Sequence, residues 1–355
     1  MDASKMEKLQ EHATEIAKIL YSETNPEEVT TLEVIEKTVR RQLSEYINPE
    51  IGKFFIKKSS RTKAGRERKI ISILGSLSIT EKQAQRLEVK SRSRWSPYLE
   101  KCCLLVSANE SYQRAEEDIE VLTGIKVPHS TQQRMVHRQK FELPEIEVKT
   151  ETISIDGGKV RLRTDEGQAC QWRDYKAVNL HHNGIGAFFQ ENEQLVNWVN
   201  QQPRANPLVC LGDGHCGIWN IFAQIGDETQ RLEILDWYHL VENLGKVGGS
   251  NQRLDKVEAL LWVGDVDGAI TQFSDWQHEN VDKFVNYLNQ HRSRIVNYAY
   301  FQAEGITIGS GAIESTIKQI GRRIKITGSQ WKKDNVPQVL KHRCAYLNGY
   351  FSTKF

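Results

Sequence analysis

Two short apolar segments, each ending in an aspartate followed by glycine, constrain the fold of this chain more than any other feature. The first, Ile153–Asp156, alternates β-branched and polar residues before Gly157. The second, residues 207–213, is an almost continuous apolar run that ends in Asp213. Alternation with a period of two indicates a half-buried strand, and a short apolar run indicates a strand buried on both faces. The pattern therefore predicts two strands that each hold a carboxylate at a rigid sheet edge.

The surrounding sequence predicts an α/β fold with a mixed five-stranded sheet. We expect strands at residues 153–156, 159–164, 172–182, 207–213 and 232–236, and helices at 190–202 and 216–225. The glycines after Asp156 are expected to turn the chain into the second strand. The first three strands would be antiparallel and the last two would add in parallel, so that the first and fourth end side by side. Asp156 and Asp213 are then neighbours, and Glu314, near the start of a helix that begins at about Ser310, is the third carboxylate.

Three carboxylates around one point predict a metal site. Unpaired, they repel one another and raise each other's pKa. Divalent cations relieve the repulsion, and oxygen ligands suit Mg²⁺ or Mn²⁺. Two such ions, held by Asp156, Asp213 and Glu314, would activate a water or a 3′-hydroxyl and stabilise the leaving oxygen in phosphodiester displacement. We therefore assign these three residues both the catalytic and the metal-binding roles.

Composition narrows the class of protein. The 355 residues suggest two or three domains, and 39% hydrophobic with 26% charged residues is typical of a soluble globular protein. No apolar run reaches the roughly 18–20 residues of a membrane span, and six scattered cysteines without a CxxC pair indicate a reducing, cytoplasmic setting. No zinc is expected, because the spacing of Cys210, His215, Cys216 and His239 matches no tetrahedral pattern.

Residues 1–145 predict a helical arm and a DNA-binding region. Helices at 1–22 and 26–47 make residues 1–50 an arm for packing or dimerisation. Residues 51–145 combine a basic stretch with two helices around a turn at 123–128, which is helix-turn-helix-like. Basic clusters with nearby aromatic residues are typical of nucleic-acid binding, although a solvated loop and a plain helical hairpin remain alternatives. The predicted DNA-binding residues are Lys57, Lys58, Arg61, Lys63, Arg66, Arg68, Arg134 and Arg138, and, after Glu314, Arg322, Arg323, Lys325, Lys332 and Lys333.

Three motifs together resemble those of a known family. The segments SIDGG, CLGDGHCGIWN and GSGAIEST contain Asp156, Asp213 and Glu314. They resemble the motifs of bacterial insertion-sequence transposases of the DDE type, in the branch related to Mutator-like elements. Asp236 and His239, in LDWYHLVENL, are similar to the C/D-x2-H signature near the active site of that branch.

The resemblance implies both a fold and a function. It implies a ribonuclease-H-like core at 146–239 and 304–350, interrupted by an all-α insertion at 240–303. It implies a transposase that binds terminal inverted repeats, cleaves the element ends and joins 3′-hydroxyl ends to target DNA. The partners would be double-stranded DNA and further copies of the chain, as a homodimer or larger homo-oligomer, in the cytoplasm at the nucleoid. Two alternatives are a ribonuclease-H-like nuclease without strand transfer and a domesticated DNA-binding regulator; the intact set of carboxylates argues against the regulator.

Overall fold

The computed structural model describes residues 2–181 and 183–352, which form two compact units divided between Met135 and Val136. The chain is α/β, with a two-stranded antiparallel sheet in the first unit and a five-stranded mixed sheet in the second. None of the helices in the described ranges combines the length and the apolar character that crossing a bilayer requires.

The first unit is mainly helical. Its elements are α1 (Ala3–Ser22), α2 (Leu32–Gln42), a π-helical turn (Leu43–Ile47), α3 (Asn48–Ser60), β1 (Glu67–Ser72), β2 (Gly75–Thr80), α4 (Glu81–Arg86), α5 (Pro97–Ser107), α6 (Tyr112–Thr123) and the start of α7 (His129–Arg138). The second helix was predicted to begin at residue 26, but it begins at Leu32. Thr31 caps it, because its hydroxyl accepts a hydrogen bond from the backbone N–H of Val34. The hairpin of β1 and β2, within the basic stretch, was not predicted.

The two helices predicted around residues 123–128 are present as α6 and α7. The second of them, α7, begins at His129. The carboxylate of Glu116, on α6, accepts hydrogen bonds from the backbone N–H of His129 at 2.7 Å and from its ring at 2.8 Å. A negative group at a helix N-terminus is stabilising, so this contact fixes the start of α7 relative to α6.

The second unit contains the predicted mixed sheet. Its elements are β3 (Thr150–Leu162), β4 (Gln171–Asn179), β5 (Ile185–Phe188), α8 (Asn192–Gln201), β6 (Arg204–Gly212), α9 (Cys216–Phe222), β7 (Arg231–Leu235), α10 (Trp237–Gly245), α11 (Asn251–Trp262), α12 (Val266–Thr271), α13 (Glu279–Gln290), α14 (Tyr298–Ala303), α15 (Gly311–Ile324) and α16 (Val336–Leu347). The strand order is β5-β4-β3-β6-β7. β3, β4 and β5 are antiparallel neighbours, whereas β6 pairs parallel to both β3 and β7.

The glycine pair after Asp156 does not turn the chain. β3 continues through it as one strand, and Gly157 and Gly158 pair with Lys176 and Tyr175 of β4. The two strands predicted at 153–156 and 159–164 are therefore one, and the fifth strand of the sheet is β5. A Cβ at Gly158 would lie 2.1 Å from Cζ of Tyr175, so the glycine is required because the ring of Tyr175 lies across the strand.

This close approach predicts that substitutions of two neighbouring glycines lower the stability of the fold by different amounts. Gly158→Ala forces the buried ring of Tyr175 to move, which should lower the free energy of unfolding by about 1–3 kcal/mol. Gly157→Ala is the matched control, because the close neighbour of its Cβ is the flexible end of Lys176, with Nζ at 3.1 Å, and the backbone oxygen of Tyr175 is at an ordinary contact distance of 4.0 Å. Chemical denaturation of both variants measures the difference. Equal losses of stability would contradict the close approach of Tyr175 to Gly158.

Two hydrophobic clusters cover the two faces of the sheet. Ile153 and Ile155 belong to a cluster that also takes in buried residues of the helical segment, such as Leu261 and Phe284. Val160 belongs to the other cluster, with residues of β4, α15 and α16. The helices between β7 and α15 thus share a core with the sheet.

Candidate active site

Asp156 and the residue after β6 lie at the same level on neighbouring strands. The parallel register pairs Ile153 with Cys210 and Ser154 with Leu211, a constant offset of 57 residues. The same offset places Asp156 opposite Asp213, directly beyond the end of β6. Neighbouring strands run about 4.8 Å apart. The predicted parallel pairing of the two strands is therefore present, but the expectation that both strands end at their aspartates is wrong for the first, because β3 continues past Asp156 to Leu162.

Asp156 faces the helix that carries Glu314. Successive side chains of a strand alternate between faces, so Asp156 shares a face with Val160. Its antiparallel partner, Ala177, belongs to the same cluster as Val160, and so does Ile313 of α15. α15 packs on β3 and β4, and Glu314 lies in its first turn, as predicted.

Hydrogen bonds from β4 fix the first turn of this helix. The side-chain nitrogen of Asn179, at the end of β4, donates to the hydroxyl of Thr316 at 2.8 Å and to the carbonyl of Ala312 at 3.3 Å. Asn179 pairs with Ser154 on β3, two residues before Asp156. The helix start that bears Glu314 is therefore held against the same end of the sheet as Asp156.

Asp236 links the two other carboxylate-bearing segments. Its backbone N–H donates to the carbonyl of Gly212, the residue before Asp213, at 2.9 Å. Its Oδ2 accepts a hydrogen bond from the backbone N–H of Ser310, which precedes α15. Its Oδ1 accepts from the backbone N–H of His239 at 2.7 Å, which caps α10. Asp236 is only 1% exposed. Its hydrogen bonds thus connect the segments on which Asp213 and Glu314 stand.

His239 brings a positive charge to this group. Its Nδ1 lies 3.1 Å from Oδ1 of Asp236. That hydrogen bond raises the pKa of His239 to about 9 against the opposing effect of burial, and the charges of Asp213 and Glu314 also raise it. The pKa of Asp236 is lowered: burial would raise it, but the hydrogen bonds from His239 and Ser310 outweigh that effect.

The electrostatics of Asp156 fit a cation site. Burial raises the pKa of Asp156, and the charge of Asp213 raises it further. The N–H of Gly157 donates to Oδ1 of Asp156 and, with the charges of His239 and Lys176, favours the ionised form. A buried carboxylate whose ionisation is opposed by burial and by a neighbouring carboxylate is a ligand that a hard divalent cation stabilises.

Glu314 is turned along its own helix. Its Oε2 lies 3.4 Å from Nζ of Lys318, one turn later. Within residues 2–181 and 183–352, no three histidine, cysteine, aspartate or glutamate side chains form a cluster that could hold a metal ion. An exposed ion pair such as that of Glu314 with Lys318 contributes only about 0.3–0.5 kcal/mol, so Glu314 can leave Lys318 at little cost.

Two residues that the sequence analysis did not single out as site residues also flank the aspartates. Lys176 of β4 lies over Gly157, where the missing side chain leaves its ammonium close to the strand. The hydroxyl of Tyr287, on α13, lies 3.5 Å from the carbonyl of Asp213, and its ring covers Gly214. A lysine on a strand and a tyrosine on a distant helix carry no sequence signal for this site, because only the strand pairing and the packing of α13 bring them there.

Most of the predicted DNA-binding residues are exposed, but two are not free surface charges. In the first unit, Lys57, Lys58, Arg61, Lys63, Arg66 and Arg134 are exposed, and in the second unit Arg138, Arg322, Lys325, Lys332 and Lys333 are exposed or partly exposed. Arg68 is half-buried, and its guanidinium donates to the backbone carbonyls of Ser93 and Lys90. Arg323 is 2% exposed and packs over the ring of Trp331 at 4.9 Å. The expectation that Arg323 lies on the surface is wrong, because it is on the face of α15 that packs against the sheet.

Comparison of the sequence with protein-family models and with curated proteins finds no match.

Proposed function

We propose that this chain is a DDE-type transposase with a ribonuclease-H-like core. The observation that carries the proposal is the placement of Asp156 and Asp213 at one level on adjacent parallel strands, beneath the helix start that bears Glu314. The strand order β5-β4-β3-β6-β7, with three antiparallel strands and two added in parallel, supports the ribonuclease-H-like assignment. The motifs around the three carboxylates support the transposase assignment within that fold.

Asp156, Asp213 and Glu314 would hold Mg²⁺ or Mn²⁺, and their oxygen donors fit such ions. The bound pair of ions would supply an activated water or 3′-hydroxyl and would stabilise the leaving oxygen during phosphodiester displacement. The hydrogen bonds of Asp236 hold the segment of Asp213 next to the helix start that bears Glu314. The cationic His239 balances the negative charge of the site, and Lys176 offers a further cation beside Asp156 for a phosphate.

DNA binding is the second part of the proposal. Exposed lysines and arginines occur on both sides of the core sequence, on α3 in the first unit and after Glu314 in the second unit. Arg134 lies on the exposed side of α7, where it folds back onto the carbonyl of Ser130. We infer that the exposed lysines of α3 and of the segment after Glu314 contact phosphates, together with Arg322. Arg134, in contrast, reads bases of the terminal inverted repeats.

A salt titration of binding tests this division. Arg322→Gln with Lys325→Gln should weaken binding to all duplexes and reduce the slope of log K against log salt by about 0.9 per phosphate contact removed. Arg134→Ala should cost about 1–3 kcal/mol on the element's own ends and less on random duplex. Lys8→Gln with Lys18→Gln on α1 removes the same charge and is the control. An unchanged slope for the Arg322/Lys325 variant would exclude α15 from the DNA path, and equal losses for Arg134→Ala on both duplexes would exclude α7 as the sequence reader.

Strand transfer separates the leading proposal from its closest alternative. A nuclease with the same carboxylates would cut oligonucleotides that carry the element ends but would leave the 3′-hydroxyl ends unjoined. A transposase would join those ends to a target duplex in the presence of Mg²⁺ or Mn²⁺. Cutting without any joined product would therefore favour the nuclease.

A further inference from the structure

The first helix carries an apolar seam that the rest of the first unit leaves largely uncovered: Met6 is exposed, whereas Ile16 and Leu20 are half-buried. Among residues 2–135, α1 contributes no buried residue. The seam consists of Met6, Leu9, Ala13, Ile16 and Leu20, which recur at alternating intervals of three and four residues. Leu9 is 53% exposed. This spacing is the heptad pattern of a two-stranded coiled coil.

The last turn of α1 is tied to its neighbours by side-chain hydrogen bonds. The amide of Gln42, at the end of α2, donates to the carbonyl of Leu20 at 3.0 Å and to the hydroxyl of Thr24 at 2.8 Å. Helices of globular proteins gain most of their stability from packing an apolar face. A 20-residue helix held at this end, with its apolar face largely in water, lacks most of that contribution.

The seam suits a second copy of the same helix. The positions that flank it on either side are Lys5, Gln10, His12, Ala17 and Ile19, and none is acidic. The carboxylates of α1 lie away from the seam, and Glu15, for example, pairs with Lys18 at 2.7 Å. Two copies can therefore pack seam to seam without bringing carboxylates together, which would otherwise oppose pairing.

The buried area sets the strength of such a pair. Burying a large apolar side chain removes roughly 60–120 Å² from water, so the four large seam side chains of each helix bury at most roughly 500–1,000 Å² in the pair. Stable specific interfaces bury about 1,200–2,000 Å². The exposed apolar residues of α2, such as Leu32 and Ile35, are available to extend the contact. The area predicts a reversible dimer whose population depends on concentration.

We propose that α1 joins two copies of this chain through a two-stranded coiled coil along this seam. The contact does not depend on the carboxylates of the second unit. It names the segment responsible for the self-association that the transposase proposal expects, and it can be measured on the full chain without DNA or metal. Its failure would leave the catalytic proposal untouched.

Sedimentation velocity of the full chain over a range of concentrations tests this contact. The wild type should show a monomer–dimer equilibrium. Leu9→Glu with Ile16→Glu should raise its midpoint concentration at least about 30-fold, because both changes place charge in the seam. Ser4→Glu with Thr14→Glu adds the same charge outside the seam and should shift the midpoint less than about threefold.

A variant that strengthens association shows that the weaker association of the seam variants is not caused by misfolding. Ala13→Leu enlarges a small seam residue and should lower the midpoint about tenfold, an effect that loss of folding cannot produce. Circular dichroism checks that every variant keeps its helices. A wild type that stays monomeric up to about 1 mM, or seam variants that behave like the Ser4/Thr14 control, would overturn the proposal.

Discussion

Glu314→Gln is expected to reduce cleavage at the element ends by about 10³-fold while leaving DNA affinity within about threefold of the wild type. The amide keeps the size of the side chain but removes the negative charge that would hold a divalent cation. Stability should change by less than about 0.5 kcal/mol, because the ion pair between Glu314 and Lys318 is exposed to solvent. The effect should therefore appear in the rate and not in folding or binding.

The control for this variant is Glu304→Gln. Glu304 follows α14, is exposed, and lies outside the carboxylate group. The Glu304→Gln variant should cleave the element ends at the wild-type rate. Single-turnover cleavage of labelled duplexes, with binding measured in parallel by anisotropy, separates the two effects. A Glu314→Gln variant that loses binding together with cleavage would show that this residue is structural.

Asp236→Ala is expected to cost about 3–5 kcal/mol of unfolding free energy. The carboxylate is buried and accepts hydrogen bonds from the N–H groups of Ser310 and His239. Removing it leaves the N–H of Ser310, itself 2% exposed, without its acceptor. The start of α15 should loosen as a result, and cleavage should fall with it. Denaturant unfolding measures the cost, and a variant as stable as the wild type would contradict the linking role of Asp236.

The pH dependence of the same pair has a definite sign. The folded pKa of His239, about 9, lies above its unfolded value of about 6.5. The stabilising contribution of His239 is therefore fully present below pH 6.5 and is lost as the pH rises through about 9. In chelator, the melting temperature of the wild type should fall over this window, whereas His239→Gln should flatten the profile. His12→Gln, on the exposed face of α1, is the control, and a wild-type profile that does not fall between pH 6.5 and 9 would contradict the pairing with Asp236.

The placement of the two aspartates could be predicted from sequence because strand signals are local. Residues Ile153–Asp156 predict a half-buried strand, and residues 207–213 predict a strand buried on both faces. A mixed sheet built from such strands predicts the parallel pairing found between β3 and β6. The turn predicted at Gly157 and Gly158 was wrong because a contact with the neighbouring strand, and not a turn, requires glycine there. Glycines usually mark turns, but here Gly158 is needed because the ring of Tyr175, from the neighbouring strand, occupies the space of a side chain.

The burial of individual charged residues and the hydrogen bonds between distant segments could not be predicted from the sequence. Arg323 belongs to a basic run, and composition does not reveal that its position on α15 faces the sheet. The bond from Ser310 to Asp236 joins residues 74 positions apart, so no spacing rule predicts it. β5 is only four residues long and contains a glycine, which is too short a pattern to distinguish from a loop.

Binding of Mn²⁺ to the metal-free protein tests the central claim most directly. The claim is that Asp156, Asp213 and Glu314 share divalent cations. Titration followed by electron paramagnetic resonance should show saturable binding to the wild type, weakened at least about tenfold by each of Asp156→Asn, Asp213→Asn and Glu314→Gln, and unchanged by Glu304→Gln. If Mn²⁺ binds the three variants as tightly as the wild type, these carboxylates do not form a common metal site and the transposase assignment loses its basis.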